Sequence, residues 1–322
     1  MDTTSHTQSI VESVGKVGVL LGGKSRERPI SLKSGRAVYK ALKNSGIDVI
    51  KIDTANGFRS GLKHTPIDLA FVALHGSGGE DGAIQRILER FRVPYVGSNP
   101  TASACAFEKS KAKKLFIRHG IPTADYAVVT RGNWRRLLGK WSPPYVIKPV
   151  DEGSSIGVVF VEDKKEEKRK IESSLRRYPR LIIERKIEGR EFTVGILGEQ
   201  ALPVIELKPK RKFYDYKAKY TKGLTDYLIP APISESLAAR LQSIALKAHR
   251  ILRLRDLSRV DIMTNEREEP FVLEVNSIPG FTETSLLPKA ARQIGIEFDE
   301  LCLRLLELAA RRNFRKFRGQ NG

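Results

Sequence analysis

Between Lys16 and Val96, strand-forming and helix-forming segments alternate, and this limits the fold more than any other feature of the chain. Lys16–Leu21 reads as a buried strand running into Gly22-Gly23 and then Lys24-Ser25-Arg26-Glu27-Arg28. A helix follows from Pro29 to Asn44, with proline suited to a first helical turn and Gly46 to a stop. Strands at Asp48–Asp53 and Leu69–Leu74 come next, and the second enters HGSGGEDG, His75 to Gly82. A helix at Ala83–Phe91 and a short strand at Val93–Val96 complete the unit. Such alternation requires a parallel sheet, whose ligands gather beyond the carboxyl ends of the strands. Glu27 and His75 both lie just past such ends. Neither GxGxxG nor GxxxxGKS occurs, so the dinucleotide and Walker fingerprints do not apply. Residues 1–15 read as a loose polar leader without the apolar core of a secretory signal.

The pattern then changes. Asn99-Pro100-Thr101 opens a helical region that runs to His119 and is stopped by Gly120 and Pro122. Strands are expected at Tyr126–Val129 and Tyr145–Lys148. KPVDEGSSIGVVFV reads as a strand, a loop of small residues and another strand. After a charged helix at Lys164–Tyr178, the segments Leu181–Ile187, Glu191–Leu197 and Leu202–Leu207 read as antiparallel strands. The stretch Lys208–Asp226 is long, basic and aromatic with no clear period, as functional lids often are. A helix at Glu235–Leu252 leads to RVDIMTNEREEPFVLEVNSIPG, Arg259 to Gly280, and two helical segments close the chain.

With 322 residues, 40% of them hydrophobic, there is ample material for two or three cores, and no apolar run is long enough for a membrane span. The two cysteines, Cys105 and Cys302, sit in helical patterns and read as reduced core residues of a cytoplasmic protein. The net charge of +20 permits non-specific attraction to polyanions. Its lysines and arginines are dispersed without interleaved aromatics, however, so no specific nucleic-acid partner is expected.

The chemistry-bearing residues are concentrated in a few places. Arg259–Met263 and Phe271–Val275 are β-branched runs around a polar turn, which predicts a hairpin. Alternation puts Arg259 with Asp261 on one face, and Glu274 with Asn276 on one face. If the faces coincide, hard oxygen donors converge in a way that suits Mg²⁺. A hairpin with a wet polar side would read the same way, although carboxylates inside strand-forming runs are costly without partners. Lys148 at a strand end, followed by Gly153-Ser154-Ser155 and Gly157, could cradle an anion. Lys109 is one of several lysines on its helix and carries less signal. Glu184 and Glu191 could receive ribose hydroxyls or be exposed strand-end charges. FYDYKAKY, Phe213 to Tyr220, could close over a site or be a surface loop with partly buried rings.

Taken in order and spacing, LLGGKSRERPISLKSG, ALHGSGGEDG, KPVDEGSSIG, EGREFTVGIL, FYDYKAKY, RVDIM and LEVNSIPGFTETSLLPKAA resemble the D-alanine–D-alanine ligase family of ATP-grasp enzymes, from Lys16 to about Arg311. The resemblance implies a mixed α/β and α+β chain with an ATP-grasp fold and an N-terminal Rossmann-like parallel-sheet domain. Residues 1–97 would form that substrate-binding domain. Residues 98–184 and 185–322 would be the central and C-terminal subdomains gripping ATP, with a lid at 208–226. The implied activity is ATP-dependent ligation of two D-alanines through an acyl phosphate, for peptidoglycan precursor synthesis. Lys109, Lys148, Gly153 and Ser155 would face the phosphates. Glu184, Arg185, Ile187, Glu191 and Phe213 would surround the adenosine. Asp261, Glu274 and Asn276 would hold two Mg²⁺ or Mn²⁺ ions. Glu27, Ser154 and Tyr220 would orient and close the dipeptide site, with His75 and Lys219 nearby. Arg259 and the Gly280 amide would hold an oxyanion, and Ser285 and Leu286 would receive the second substrate's carboxylate. Family membership further suggests a homodimer. Pro29 departs from the acidic residue common at that position, and the strongly basic balance is unusual for the family. D-serine or D-lactate as acceptor is the alternative within the class. A nucleic-acid-binding protein on an inactive scaffold is the alternative outside it, and predicts erosion at Lys148, Arg259, Asp261, Glu274 and Asn276 that the chain does not show.

Overall fold

The computed structural model describes residues 14–55, 58, 66–138, 140–211, 214, 218, 219, 221 and 223–318, with the side chains of the last helix described to 312. Phe213 and Tyr220 lie outside the described residues.

The alternating segment forms β1 (Val17–Leu21), α1 (Arg28–Asn44), β2 (Val49–Asp53), β3 (Leu69–Val72), α2 (Ala83–Arg90) and β4 (Tyr95–Val96). The four strands pair in parallel in the order β2-β1-β3-β4. Every residue of β1 and β3 is buried, as expected for strands covered on both faces. Helix α1 packs close to β1 because Gly35 has no side chain: a Cβ there would stand 2.4 Å from that of Leu21. That contact fixes the N-terminus of α1, and with it Glu27, beside the end of β1.

The region expected as one helix from Asn99 to His119 is two, α3 (Pro100–Phe107) and α4 (Lys109–Arg118). Asn99 caps the first through its side chain to the Ala102 amide at 2.9 Å. The chain breaks because Glu108 is extended, with φ −85° and ψ 100°. The freed amide of Lys109 donates instead to the Val150 carbonyl at 2.8 Å. Ala102, Ala106, Ala112 and Phe116 from these helices share a core with Phe192, Leu241, Val260 and Val272.

Next come β5 (Tyr126–Thr130), α5 (Trp134–Leu138), β6 (Tyr145–Pro149), β7 (Val159–Val161), α6 (Lys164–Arg177) and β8 (Arg180–Arg185). They build an antiparallel sheet in the order β5-β8-β6-β7, covered by buried Trp134, Ile171 and Leu175. Helix α5 was not expected from the sequence. Strand β8 ends at Arg185 rather than Ile187.

The third sheet contains β9 (Arg190–Leu197), β10 (Gln200–Ala201), β11 (Ile205–Pro209) and β12 (Thr225–Leu228). After α7 (Glu235–Ile251) it is completed by β13 (Leu257–Thr264) and β14 (Pro270–Asn276). Its order is β12-β11-β9-β13-β14, with β10 on β9. Strand β11 starts later than expected, because the Leu202 amide turns to the Gly195 carbonyl. Both ends of the expected lid are strand, since Lys208 and Pro209 pair with Asp226 and Thr225. Finally α8 (Leu286–Arg292) and α9 (Phe298–Arg318) join the first and third sheets. Leu287, Leu301 and Leu305 share one core with Val19 and Phe71 on one side and Leu197 and Ile205 on the other. Cys302 is buried in that core, whereas Cys105 is partly exposed.

Candidate active site

The hairpin expected around the polar turn is β13–β14, and its register decides which side chains meet. Arg259 lies opposite Asn276 and Asp261 opposite Glu274, after which an irregularity offsets the strands so that Ile262 faces Val272. The four polar residues therefore converge. Asp261 is 5% exposed and accepts from Arg259 Nε at 2.8 Å and Nη2 at 2.7 Å. It also accepts from Thr193 Oγ1 at 2.7 Å and Asn276 Nδ2 at 3.2 Å. Asn276 thus turns its amide nitrogen inward, which leaves its oxygen on the other side. Burial works against the charge of Glu274, but Lys109, Lys219 and Lys148 overcome it and hold the carboxyl at about 2. Lys109 Nζ stands 3.4 Å from Glu274 Oε2 and donates to the Glu152 carbonyl at 2.6 Å. Among the described residues no three His, Cys, Asp or Glu side chains form a self-sufficient metal cage. Two carboxylates and an amide oxygen are instead a partial donor set, of the kind that Mg²⁺ completes with water and phosphate oxygens.

A cavity of about 670 Å³ opens between the second and third sheets. Lys109, Lys148, Ser155, Glu184, Glu191 and Glu274 line it, together with the 185–188 crossover that contains Arg185 and Ile187. Lys148 is the penultimate residue of β6, which runs one residue further than the sequence suggested, and lies 2.7 Å from Glu184 Oε2. The other Glu184 oxygen lies 3.2 Å from Lys113 Nζ. Glu184 is 1% exposed and holds lysines, whereas Glu191, the other candidate ribose carboxylate, lines the cavity and forms no ion pair among the described residues. Burial pushes the Glu191 carboxyl up to about 7; Lys219 opposes this, and Asp261 and Glu274 add to it. Val158, Met263 and Leu273 give the cavity apolar walls that can hold a flat base.

A second cavity of about 240 Å³ adjoins it, lined by Glu27, His75, Gly153, Ser154, Arg259 and Gly280, and also by Ser285 and Leu286. Ser154 Oγ donates to Glu27 Oε1. Burial, reinforced by Glu80, raises the Glu27 pKa, while the Ser154 bond and His75 pull it down. The loop passes so close that a Cβ on Gly153 would stand 2.9 Å from Glu27 Oε2. Ser154 and Ser155 are both left-handed, at φ 50° and 58°. Non-glycine residues hold that conformation only where surroundings enforce it. Ser155 Oγ donates to the Tyr214 carbonyl at 3.1 Å, which ties this loop to the start of the lid. His75 is engaged on both nitrogens, 2.9 Å from Ser34 Oγ and 3.1 Å from the Ile278 carbonyl. It therefore braces the 278–280 turn as well as lining the cavity. Ser285 Oγ accepts from the Thr282 amide at 3.0 Å. Tyr214, Lys219 and Glu274 line both cavities.

Three contributors were missed in the sequence. Lys113 was passed over among neighbouring lysines, although it stands four residues after Lys109 on a stripe shared with Ala112 and Phe116. Glu206 lines the first cavity, 2% exposed, and accepts from Arg190 Nε at 2.9 Å and Nη2 at 2.8 Å. Its only sequence signal is a carboxylate amid the apolar residues of β11. Tyr214 carried no mark to distinguish it from the other lid aromatics.

Comparison with known proteins agrees with this arrangement. Family models described as "D-ala D-ala ligase C-terminus" and "D-ala D-ala ligase N-terminus" match residues 115–307 and 54–98. A D-alanine–D-alanine ligase of Syntrophotalea carbinolica is 43% identical over 298 residues, which is 92% of this chain and 97% of the relative. The crystal structure of the Bacillus anthracis D-alanine–D-alanine ligase matches with a TM-score of 0.84 at 33% identity, covering 94% of this chain and 99% of that one. The same enzyme complexed with ATP matches at 0.80 with 30% identity and the same coverage. The VanG D-Ala:D-Ser ligase of Enterococcus faecalis matches at 0.81 with 29% identity, covering 92% and 99%. Three sheets with an ATP-grasp arrangement, paired cavities meeting at one hairpin and relatives spanning nearly the whole chain lead to one conclusion: this chain belongs to the D-alanine–D-alanine ligase family.

Proposed function

We propose that the chain joins two D-alanine molecules to D-alanyl-D-alanine, consuming ATP, as a step in cell-wall precursor synthesis. The observation that carries this reading is the meeting of the two cavities at Glu274, Tyr214 and Lys219, with the Arg259–Asp261 pair between them. The larger chamber has the size and the lysines for a nucleoside triphosphate. The smaller has the size for two small amino acids.

ATP lies in the first cavity, with Lys109 and Lys148 against the phosphates and Glu191 beside the ribose. Asp261, Glu274 and Asn276 would hold the divalent cations, which supply charge screening and alignment of the phosphates when bound. In the first step the carboxylate of one D-alanine attacks the γ-phosphorus, and ADP leaves. Glu27, held by Ser154, faces the ammonium group of that D-alanine. In the second step the free amine of the other D-alanine attacks the acyl carbon, and phosphate departs. Arg259 donates two N–H groups to Asp261, and its others reach the second cavity to stabilise the tetrahedral oxyanion with the Gly280 amide. Ser285 and the start of α8 receive the carboxylate of the second substrate. Lys219 and the rest of the lid exclude water, which would otherwise hydrolyse the acyl phosphate. The sequence Lys219-Tyr220 in the lid resembles that of dipeptide-forming members of the family, which favours D-alanine over D-lactate as acceptor.

The proposal extends to a homodimer working in the cytoplasm, on the strength of the family resemblance. Among the described residues no helix is long and apolar enough to cross a membrane. The deciding experiment couples ADP release to purified protein, ATP, Mg²⁺ and D-alanine, with L-alanine as control. D-serine and D-lactate are offered as acceptors in separate arms. D-alanine-dependent ADP and dipeptide formation is expected. No turnover with D-alanine, or a preference for D-lactate at neutral pH, overturns the assignment.

A further inference from the structure

We propose that Lys113 is a positioning residue that keeps the Lys148 ammonium available to phosphate by sharing its counter-ion, Glu184. The inference rests on the reading of the larger cavity as an ATP site.

The geometry is a buried row of three charges. Lys148 Nζ is 2.7 Å from one Glu184 oxygen, and Lys113 Nζ is 3.2 Å from the other. Lys148 lines the cavity, whereas Lys113 does not and is fully buried behind it. The arrangement carries one net positive charge. Were Glu184 paired with Lys148 alone, the pair would be neutral, and the lysine would meet a phosphate with most of its field cancelled. A buried ammonium is expensive to hold in a folded protein, and an apolar side chain would pack the position at lower cost. Burial accordingly lowers the Lys113 pKa, and Glu184 works against that.

A purely mechanical role is the rival. Lys113 also donates to Thr123 Oγ1 at 2.5 Å and to the Ala124 carbonyl at 3.3 Å. Thr123 in turn donates to the Val272 carbonyl at 2.7 Å, two residues before Glu274. Bracing of this kind acts on the shape of the whole site, and so on every ligand that enters it. Charge sharing acts on phosphate alone. The two are separated by comparing ligands that differ only in phosphate.

The experiment is isothermal titration of ATP, with Mg²⁺, and of adenosine, into wild type, Lys113→Met, Glu184→Gln, the double variant and Thr123→Val. The readout is the ratio of ATP to adenosine affinity. Lys113→Met is expected to lower this ratio about tenfold or more. Adding Glu184→Gln returns the net charge to that of wild type and recovers most of the loss, a coupling that independent effects would not produce. Glu184→Gln alone raises the ratio, and this holds the inference to account even if Lys113→Met does not fold. Thr123→Val leaves the ratio unchanged. Equal weakening of ATP and adenosine in Lys113→Met, a lower ratio in Glu184→Gln, or a Thr123→Val ratio as low as that of Lys113→Met overturns the inference. Wild type that binds no ATP would sink the functional reading with it; ATP binding with an unmoved ratio sinks this inference alone.

Discussion

Arg259 and Glu191 show how burial sets the character of single side chains. Arg259 holds Asp261 with two charge-assisted bonds and still lines the smaller cavity. Arg259→Ala is expected to lower kcat by about 10²–10³ while the ATP Kd changes little, as single-turnover kinetics and titration would report. Glu191 titrates near 7 in the folded chain because burial disfavours its charge. In the unfolded chain it titrates near the ordinary carboxylate value, so between the two the folded state binds more protons. Its contribution to stability is therefore complete below about pH 4.5 and is lost as pH rises towards 7. In metal-free, nucleotide-free buffer, the Tm of wild type relative to Glu191→Gln should fall from pH 5 to 7 and then level off. A constant difference would contradict the assignment. Glu191 was legible as a site candidate, yet its altered acidity was not, because that depends first on burial and then on Asp261 and Glu274, far away in sequence. Lys113 was illegible for a related reason: a helix with several lysines does not announce which of them face inward.

Elements were legible where a period was clean and illegible where a single residue breaks it. The buried strands β1 and β3, the hairpin β13–β14 and α7 follow directly from apolar spacing. Glu108 splits the helix expected over Asn99–His119, and no proline or glycine marks the break. The reason lies across the structure, in the Val150 carbonyl that takes the Lys109 amide. Helix α5 is only five residues long, too short for a periodic signal. The 208–226 segment read as irregular because its strand ends, Lys208-Pro209 and Thr225-Asp226, pair only with each other, while β11 pairs with β9 through Ile205–Leu207, before the segment begins. Packing of α1 on β1 gives an element-scale prediction. Gly35→Ala would force the helix off the strand, since its Cβ would collide with Leu21. A loss of about 1–3 kcal/mol is expected in denaturant unfolding. The D-alanine KM should rise as well, because Glu27 rides on the end of that helix.

At the scale of the whole molecule, the parallel sheet and the ATP-grasp pair were foreseen, while the joints between them were not. One joint is Asp256, buried before β13 with φ 64°. Its carboxylate accepts from the Gly97 amide at 2.7 Å and from Arg312 on α9, and Arg312 Nη2 donates to the Tyr95 carbonyl at 2.9 Å. Three segments remote in sequence are thereby pinned together. Removing one partner of a fully buried ion pair costs about 3–5 kcal/mol, and the loss here is smaller because Arg312 keeps part of its side chain in water. Asp256→Ala is expected to lower the unfolding midpoint, because it also leaves the buried Gly97 amide without its acceptor. Asp256→Asn should lower it less, because asparagine tolerates the left-handed backbone and can still accept from Gly97. The partition shared by the two cavities has a practical consequence. Because Tyr214, Lys219 and Glu274 border both chambers, a two-armed inhibitor with an adenosine-like end and a dipeptide-like end needs a tether no longer than the triphosphate it replaces. Once one arm docks, the other meets its chamber at high effective concentration, and the gain over either arm alone would measure how thin that partition is.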